Sequence, residues 1–157
     1  MSAVDLVREC IARGITLATA ESLTAGLVSS SIADVPGCSA VFRGGVVAYA
    51  TDVKGSLLGL SSDALEHVVS EQVAAQMARR ACRVLDADLG IATTGVAGPD
   101  PLDGQAAGSV WIAVHDRTTS LTTARHLSLA GDRVAIRSDA ANAAIGLASE
   151  VLGVSGT

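Results

Sequence analysis

Residues 19–26, TAESLTAG, set a carboxylate and three hydroxyl side chains at the end of an apolar run. A serine hydroxyl at the end of a strand can attack an acyl carbon once a base takes its proton. Amides at the start of a following helix, those of Thr24 and Ala25, can then hold the oxyanion. The same residue types also cap an ordinary helix start, so position alone leaves Ser22 open between nucleophile and cap. His67, His115 and His126 all lie far from Ser22 in sequence and nominate no partner base. Lys54 is a different candidate, because among eleven Lys and Arg residues it is the only lysine. A guanidinium keeps its proton, whereas an amine loses it when desolvated or set beside another cation. The competing reading is a surface cation that survived a bias toward arginine. Tyr49, the only tyrosine, stands five residues earlier. Its phenol can relay a proton or hold a leaving group, or simply pack at a strand edge with its hydroxyl in water.

Two further stretches have the composition of anion sites. In TTGVAGPD, residues 93–100, the glycines Gly95 and Gly98 follow an apolar run and can bend amides around an anion. The stretch matches neither GxGxxG nor a Walker A sequence, and a structural turn is the alternative. Gly131-Asp132-Arg133, followed by Arg137, opens an apparent last helix. Cations in a first turn oppose the helix dipole, which points to a bound anion such as phosphate; pairing with Asp132 or Asp139 is the plain alternative.

The elements that must position these residues follow from periodicity and punctuation. Val4, Val7 and Ile11 mark a first helix closed by Gly14, and residues 15–20 form a buried strand. A helix is expected over 23–35, stopped by Pro36-Gly37, then a strand over 42–50 and a short helix over 52–60. Helical segments over 62–68 and 70–85 follow, the second with an apolar stripe of Val73, Met77, Ala81, Val84 and Leu85; Arg79, Arg80 and Arg83 are expected on a solvated face. Strands are expected over 88–94, 108–115 and 120–129, the last two as a hairpin, and a final helix over 132–152 with Val134, Ala141, Ile145, Ala148 and Leu152 inward. Strands that alternate with helices and end in a hairpin predict an α/β fold: one three-layer α/β/α domain with a mixed sheet, spanning residues 1–157. Ligands of such sheets sit at the carboxyl ends of strands, where both TAESLTAG and TTGVAGPD lie.

Composition excludes several function classes. One Phe, one Tyr and one Trp leave no stacking platform for bases, and a net charge of −5 without a basic run lacks the footprint of a nucleic-acid binder. Cys10, Cys38 and Cys82 are odd in number and widely spaced, so they read as reduced packing residues of a cytoplasmic protein, with no metal site or cofactor expected. No 18 apolar residues run together and the first ten residues carry no signal core, which sets membranes aside as partners.

Taken in order, TAESLTAG, FRGGVVAY with a lysine five residues past the tyrosine, TTGVAGPD and GDR resemble the CinA C-terminal domain family, the nicotinamide mononucleotide deamidases. The resemblance runs from Thr19 to Arg133. It implies a metal-free amidohydrolase that converts nicotinamide mononucleotide to nicotinate mononucleotide and ammonia in pyridine nucleotide salvage. The catalytic group it implies is Ser22, Tyr49 and Lys54. Substrate contacts fall to Glu21, Thr24, Thr94, Gly95, Ala97, Gly98 and Arg133, with Glu21 or Asp52 against the pyridinium charge. The family's further N-terminal domain is absent from these residues, as expected of a stand-alone form. A homo-oligomer, a dimer, is expected through the alanine-rich helices. Three departures stand out: Thr24-Ala25-Gly26 replaces TGG, Ala50-Thr51-Asp52-Val53 replaces the SNEA type of spacer between Tyr49 and Lys54, and Ala106-Ala107 replaces a Lys-Pro pair. The competing function is a non-catalytic nucleotide-phosphate-binding module of the same fold.

Overall fold

The structure is a computed structural model that describes residues 2–154. Five strands form one sheet: β1 (Leu17–Glu21), β2 (Phe42–Val47), β3 (Leu89–Gly95), β4 (Ser109–Asp116) and β5 (Leu121–Ser128), in the order β2-β1-β3-β4-β5. β1 runs parallel to both β2 and β3, while β4 and β5 add as an antiparallel hairpin, so the sheet is mixed as expected. The chain leaves β1 toward β2 on one side and returns to β3 on the other. That makes the carboxyl ends of β1 and β3 the place where a crevice opens.

Alternation along the central strands sends two kinds of side chain to the two faces. Leu17, Leu89, Ile91, Val110, Ile112 and Val114 pack with α1 (Ala3–Arg13), α2 (Leu27–Ala33) and α6 (Arg133–Val151). Ala18, Ala20, Ala92 and Ala113 pack with α3 (Thr51–Leu58), α4 (Ser62–Leu65) and α5 (Glu71–Leu85). The three layers are therefore unequal. On the alanine face α5 lies so close that a Cβ at Gly90 would collide with the carbonyl oxygen of Ala78, and glycine is required there by contact rather than by φ.

Local signals explain the element ends. Ser2 and Asp5 form a capping box on α1, which Gly14 closes in the left-handed region; Ser70 caps α5, and Asp132 accepts from the Ala135 amide at the start of α6. Several helix faces differ from the stripes read from spacing. On α1 Leu6, Val7 and Cys10 are buried while Val4 and Ile11 are exposed, and on α5 Val84 is exposed. Val134 of α6 is 71% exposed; Ile136, Ala140 and Ala144 take the inward positions with Ala141, Ile145 and Ala148. α6 is apolar on most sides, so spacing alone did not single out one face. Cys10 and Cys82 are buried, Cys38 is partly exposed, and all three are free thiols. Among the described residues no helix is long and apolar enough to cross a membrane.

Candidate active site

A cavity of about 390 Å³ opens at the carboxyl ends of β1 and β3. Ser22, Tyr49, Lys54, Thr94, Gly95, Ala97, Gly98 and Arg133, named from sequence, all line it; Glu21 and Thr24 do not.

Ser22 is the first residue after β1. Its amide donates to the carbonyl of Thr93 at 3.0 Å and its carbonyl accepts from the Ala25 amide at 3.0 Å. The side chain is only 8% exposed, yet its hydroxyl has no hydrogen-bond partner among the described residues. Backbone contacts thus hold Ser22 while its Oγ faces the cavity unengaged.

The helix expected from residue 23 begins at Leu27, and the reason is Glu21. This carboxylate, fully buried, accepts from the amides of Gly26 (2.9 Å), Val28 (3.0 Å) and Ser29 (2.8 Å) and from the hydroxyls of Thr24 (2.7 Å) and Ser29 (2.7 Å). Amides of a first helical turn converge on an anion by geometry and dipole, and here the protein supplies that anion itself. Glu21, expected as a substrate contact, is therefore an internal cap of α2. Thr24 is corrected in the same way, because its hydroxyl lies between Glu21 and Thr93 Oγ1. The amide pair expected for the oxyanion also changes. The Ala25 amide is engaged by Ser22, whereas those of Leu23 and Thr24 donate to no acceptor among the described residues.

Arg137, read from sequence as an anion ligand or as a partner of Asp132 or Asp139, instead donates from Nε to the Leu23 carbonyl (2.8 Å) and from Nη2 to the Thr24 carbonyl (3.0 Å). One guanidinium thus pins the turn that carries the serine. Neither Asp132 nor Asp139 pairs with it.

Lys54 lies in α3, 2% exposed, with Nζ donating to the Tyr49 carbonyl at 2.9 Å. No carboxylate lies within ion-pair distance of it among the described residues. Burial pushes its pKa below the ordinary lysine value of 10.5, and the more distant charge of Asp103 only partly opposes this. Tyr49 is half exposed, and its hydroxyl accepts from Arg133 Nη2 at 2.6 Å. Nη1 of the same guanidinium donates to the Gly98 carbonyl at 2.6 Å, so Arg133 ties the glycine-rich loop to the tyrosine. Thr94 Oγ1 donates to the Val68 carbonyl at 2.7 Å and holds the opposite wall.

Sequence reasoning missed Leu23, Thr51, Val68, Val69, Asp100 and Leu102, which also line the cavity. Val68 and Val69 carry no chemical signal and are brought in by the fold. Asp100 is the one carboxylate of TTGVAGPD and is legible there by residue type. Chemically, the cavity joins an unengaged hydroxyl, a desolvated amine, free amides and a guanidinium.

The CinA C-terminal domain family matches residues 2–152. The chain belongs to this family. A CinA-like protein of Frankia casuarinae is 44% identical over 144 residues, covering 90% of this chain and 33% of that protein. A Levilactobacillus brevis protein named for competence and damage induction is 46% identical over 137 residues, covering 86% of this chain and 33% of its own length. This CinA domain therefore spans about a third of the length of the curated relatives it matches. A crystal structure of a CinA superfamily protein from Klebsiella pneumoniae superposes with a TM-score of 0.91 at 30% identity, covering 96% of this chain and 95% of that one. The α/β/α architecture is thus shared with solved CinA proteins.

Proposed function

We propose that this CinA domain hydrolyses the carboxamide of nicotinamide mononucleotide to nicotinate mononucleotide and ammonia, with Ser22 as nucleophile and Lys54 as base. One observation carries the reading: an unengaged serine hydroxyl and a lysine amine, buried without a counter-ion, line the same cavity. Ser22 Oγ attacks the carboxamide carbon and its proton passes to neutral Lys54. The oxyanion meets the free amide of Leu23, which lines the cavity beside Ser22. The C–N bond then breaks, the nitrogen takes the proton from Lys54, and ammonia leaves an ester on Ser22. Water attacks that ester with Lys54 again as base, and Ser22 recovers its proton as the acid departs. Tyr49 enters as the support of Arg133 and of Lys54. Arg133, with the Ala97 and Gly98 amides, grips the phosphate.

The test is ammonia release from nicotinamide mononucleotide by the native protein, Ser22→Ala and Lys54→Arg. The native protein is expected to release one ammonia per acid formed, and both variants are expected to fall to background. Silence from the native protein, or full release by Lys54→Arg, overturns the reading. Binding without turnover by the native protein would instead favour the nucleotide-phosphate-binding module.

A further inference from the structure

We propose that Asp100 makes this cavity selective for a cationic pyridinium amide over an uncharged amide, an inference that rests on the amidohydrolase reading above. Besides the Tyr49 phenol, three ionisable side chains line the cavity: the bases Lys54 and Arg133 and the acid Asp100. A base must be neutral to act, so the working cavity carries one cation, Arg133, and one anion, Asp100. A pyridinium mononucleotide carries the complementary pair, a phosphate and a ring cation.

The other carboxylates near the site are placed elsewhere. Glu21 is buried beneath the serine turn with both oxygens engaged by α2. Asp52 is exposed in the first turn of α3, outside the cavity lining. Asp103 accepts from the Val69 amide at 3.3 Å and does not line the cavity. Among the described residues Asp100 is the only carboxylate in the lining.

Its surroundings leave it available. Arg133 is bonded to the carbonyl of Gly98, two residues before Asp100, so the Asp100 backbone lies within roughly 8 Å of that anchor by chain geometry. Asp100 is exposed at the cavity wall, forms no ion pair and accepts no hydrogen bond among the described residues, while the Arg133 guanidinium donates to Gly98 and Tyr49. An unpaired anion in the wall of a site lowers the free energy of a bound cation and does nothing for a neutral ring of the same shape.

The experiment separates binding from turnover. Dissociation constants of nicotinamide mononucleotide and of its 1,4-dihydro form, whose ring is uncharged, are measured by calorimetry on Ser22→Ala and on Ser22→Ala with Asp100→Asn or Asp100→Glu. Asp100→Asn is expected to weaken the cationic ligand about fivefold to tenfold and leave the dihydro form unchanged, with Asp100→Glu restoring the preference. Added salt should shrink the preference in the Asp100 background and not in the Asn one. Equal weakening of both ligands, or no change in their ratio, overturns the assignment. Ammonia release by the native protein is scored apart, so loss of the hydrolytic reading and loss of the Asp100 assignment give different results.

Discussion

Lys54 Nζ lies 2.9 Å from the main-chain carbonyl of Tyr49, while the phenol hydroxyl of the same residue accepts from Arg133 at 2.6 Å. One tyrosine therefore serves two groups through two different atoms. Its backbone orients the amine and its side chain orients the guanidinium, which separates the roles of the two catalytic candidates.

The separation gives a mutational signature. Tyr49→Phe keeps the carbonyl that holds Lys54 and removes only the support of Arg133, so KM for nicotinamide mononucleotide should rise about tenfold at most. The pH limb that belongs to Lys54 should not move. A shift of that limb in Tyr49→Phe would show instead that the phenol relays the first proton.

Lys54 carries its own pH dependence. Because burial lowers its pKa below 10.5, activity should rise with pH through an apparent value below 10.5, and Lys54→Arg should lose about 100-fold or more. Stability follows with a definite sign. Between the depressed native value and 10.5 the unfolded chain binds more protons than the native one, so stability rises with pH across that window. Denaturation midpoints should therefore show the native protein gaining on Lys54→Met as pH approaches 10.5. A constant difference between the two would mean that the lysine is not desolvated.

Glu21 should matter through stability first. Glu21→Gln places an amide group against three backbone donors and removes the charge opposite the α2 N-terminus, a loss of about 2–3 kcal/mol. Calorimetry should show a Tm lower by roughly 5–10 °C for a domain of this size. Activity measured well below the transition should fall too, since the turn that carries Ser22 hangs on the same cap.

Ala25 is strained and far less critical. It sits at φ 48°, exposed and outside the cavity lining, so its methyl does not narrow the approach to the serine. Left-handed backbone costs an alanine about 1–2 kcal/mol, and glycine returns about 0.4–1 kcal/mol of that to the unfolded chain. Ala25→Gly should accordingly raise Tm by a few degrees at most with unchanged kcat. Gly26→Ala, at φ 100°, should lower it.

Thiol reactivity provides a check on the core. Burial pushes Cys10 up to about 12 and Cys82 up to about 11, so neither forms a thiolate near neutral pH. Titration with a thiol reagent should modify Cys38 alone in the native protein and all three thiols after denaturation. Rapid modification of two or more native thiols would contradict the packing of α1 and α5.

The order of helices and strands, the hairpin and the candidate chemistry were legible in the chain because periodicity, capping and turn residues act over a few positions. Serine, lysine, tyrosine and the glycine-rich loop could be named for the same reason, since their reactivity is a property of the residue type. Their environment was not legible. Glu21 reads as a substrate contact until α2 folds back onto it, and Arg137 as an anion ligand or aspartate partner until carbonyls more than a hundred residues earlier come within its reach. Lys54 acquires its perturbed amine only when α3 is closed over by its neighbours, and Val134 and Ile136 exchange places because α6 has apolar residues on most sides. Charge, desolvation and the choice among apolar faces depend on groups distant in sequence, and only tertiary packing brings those groups together.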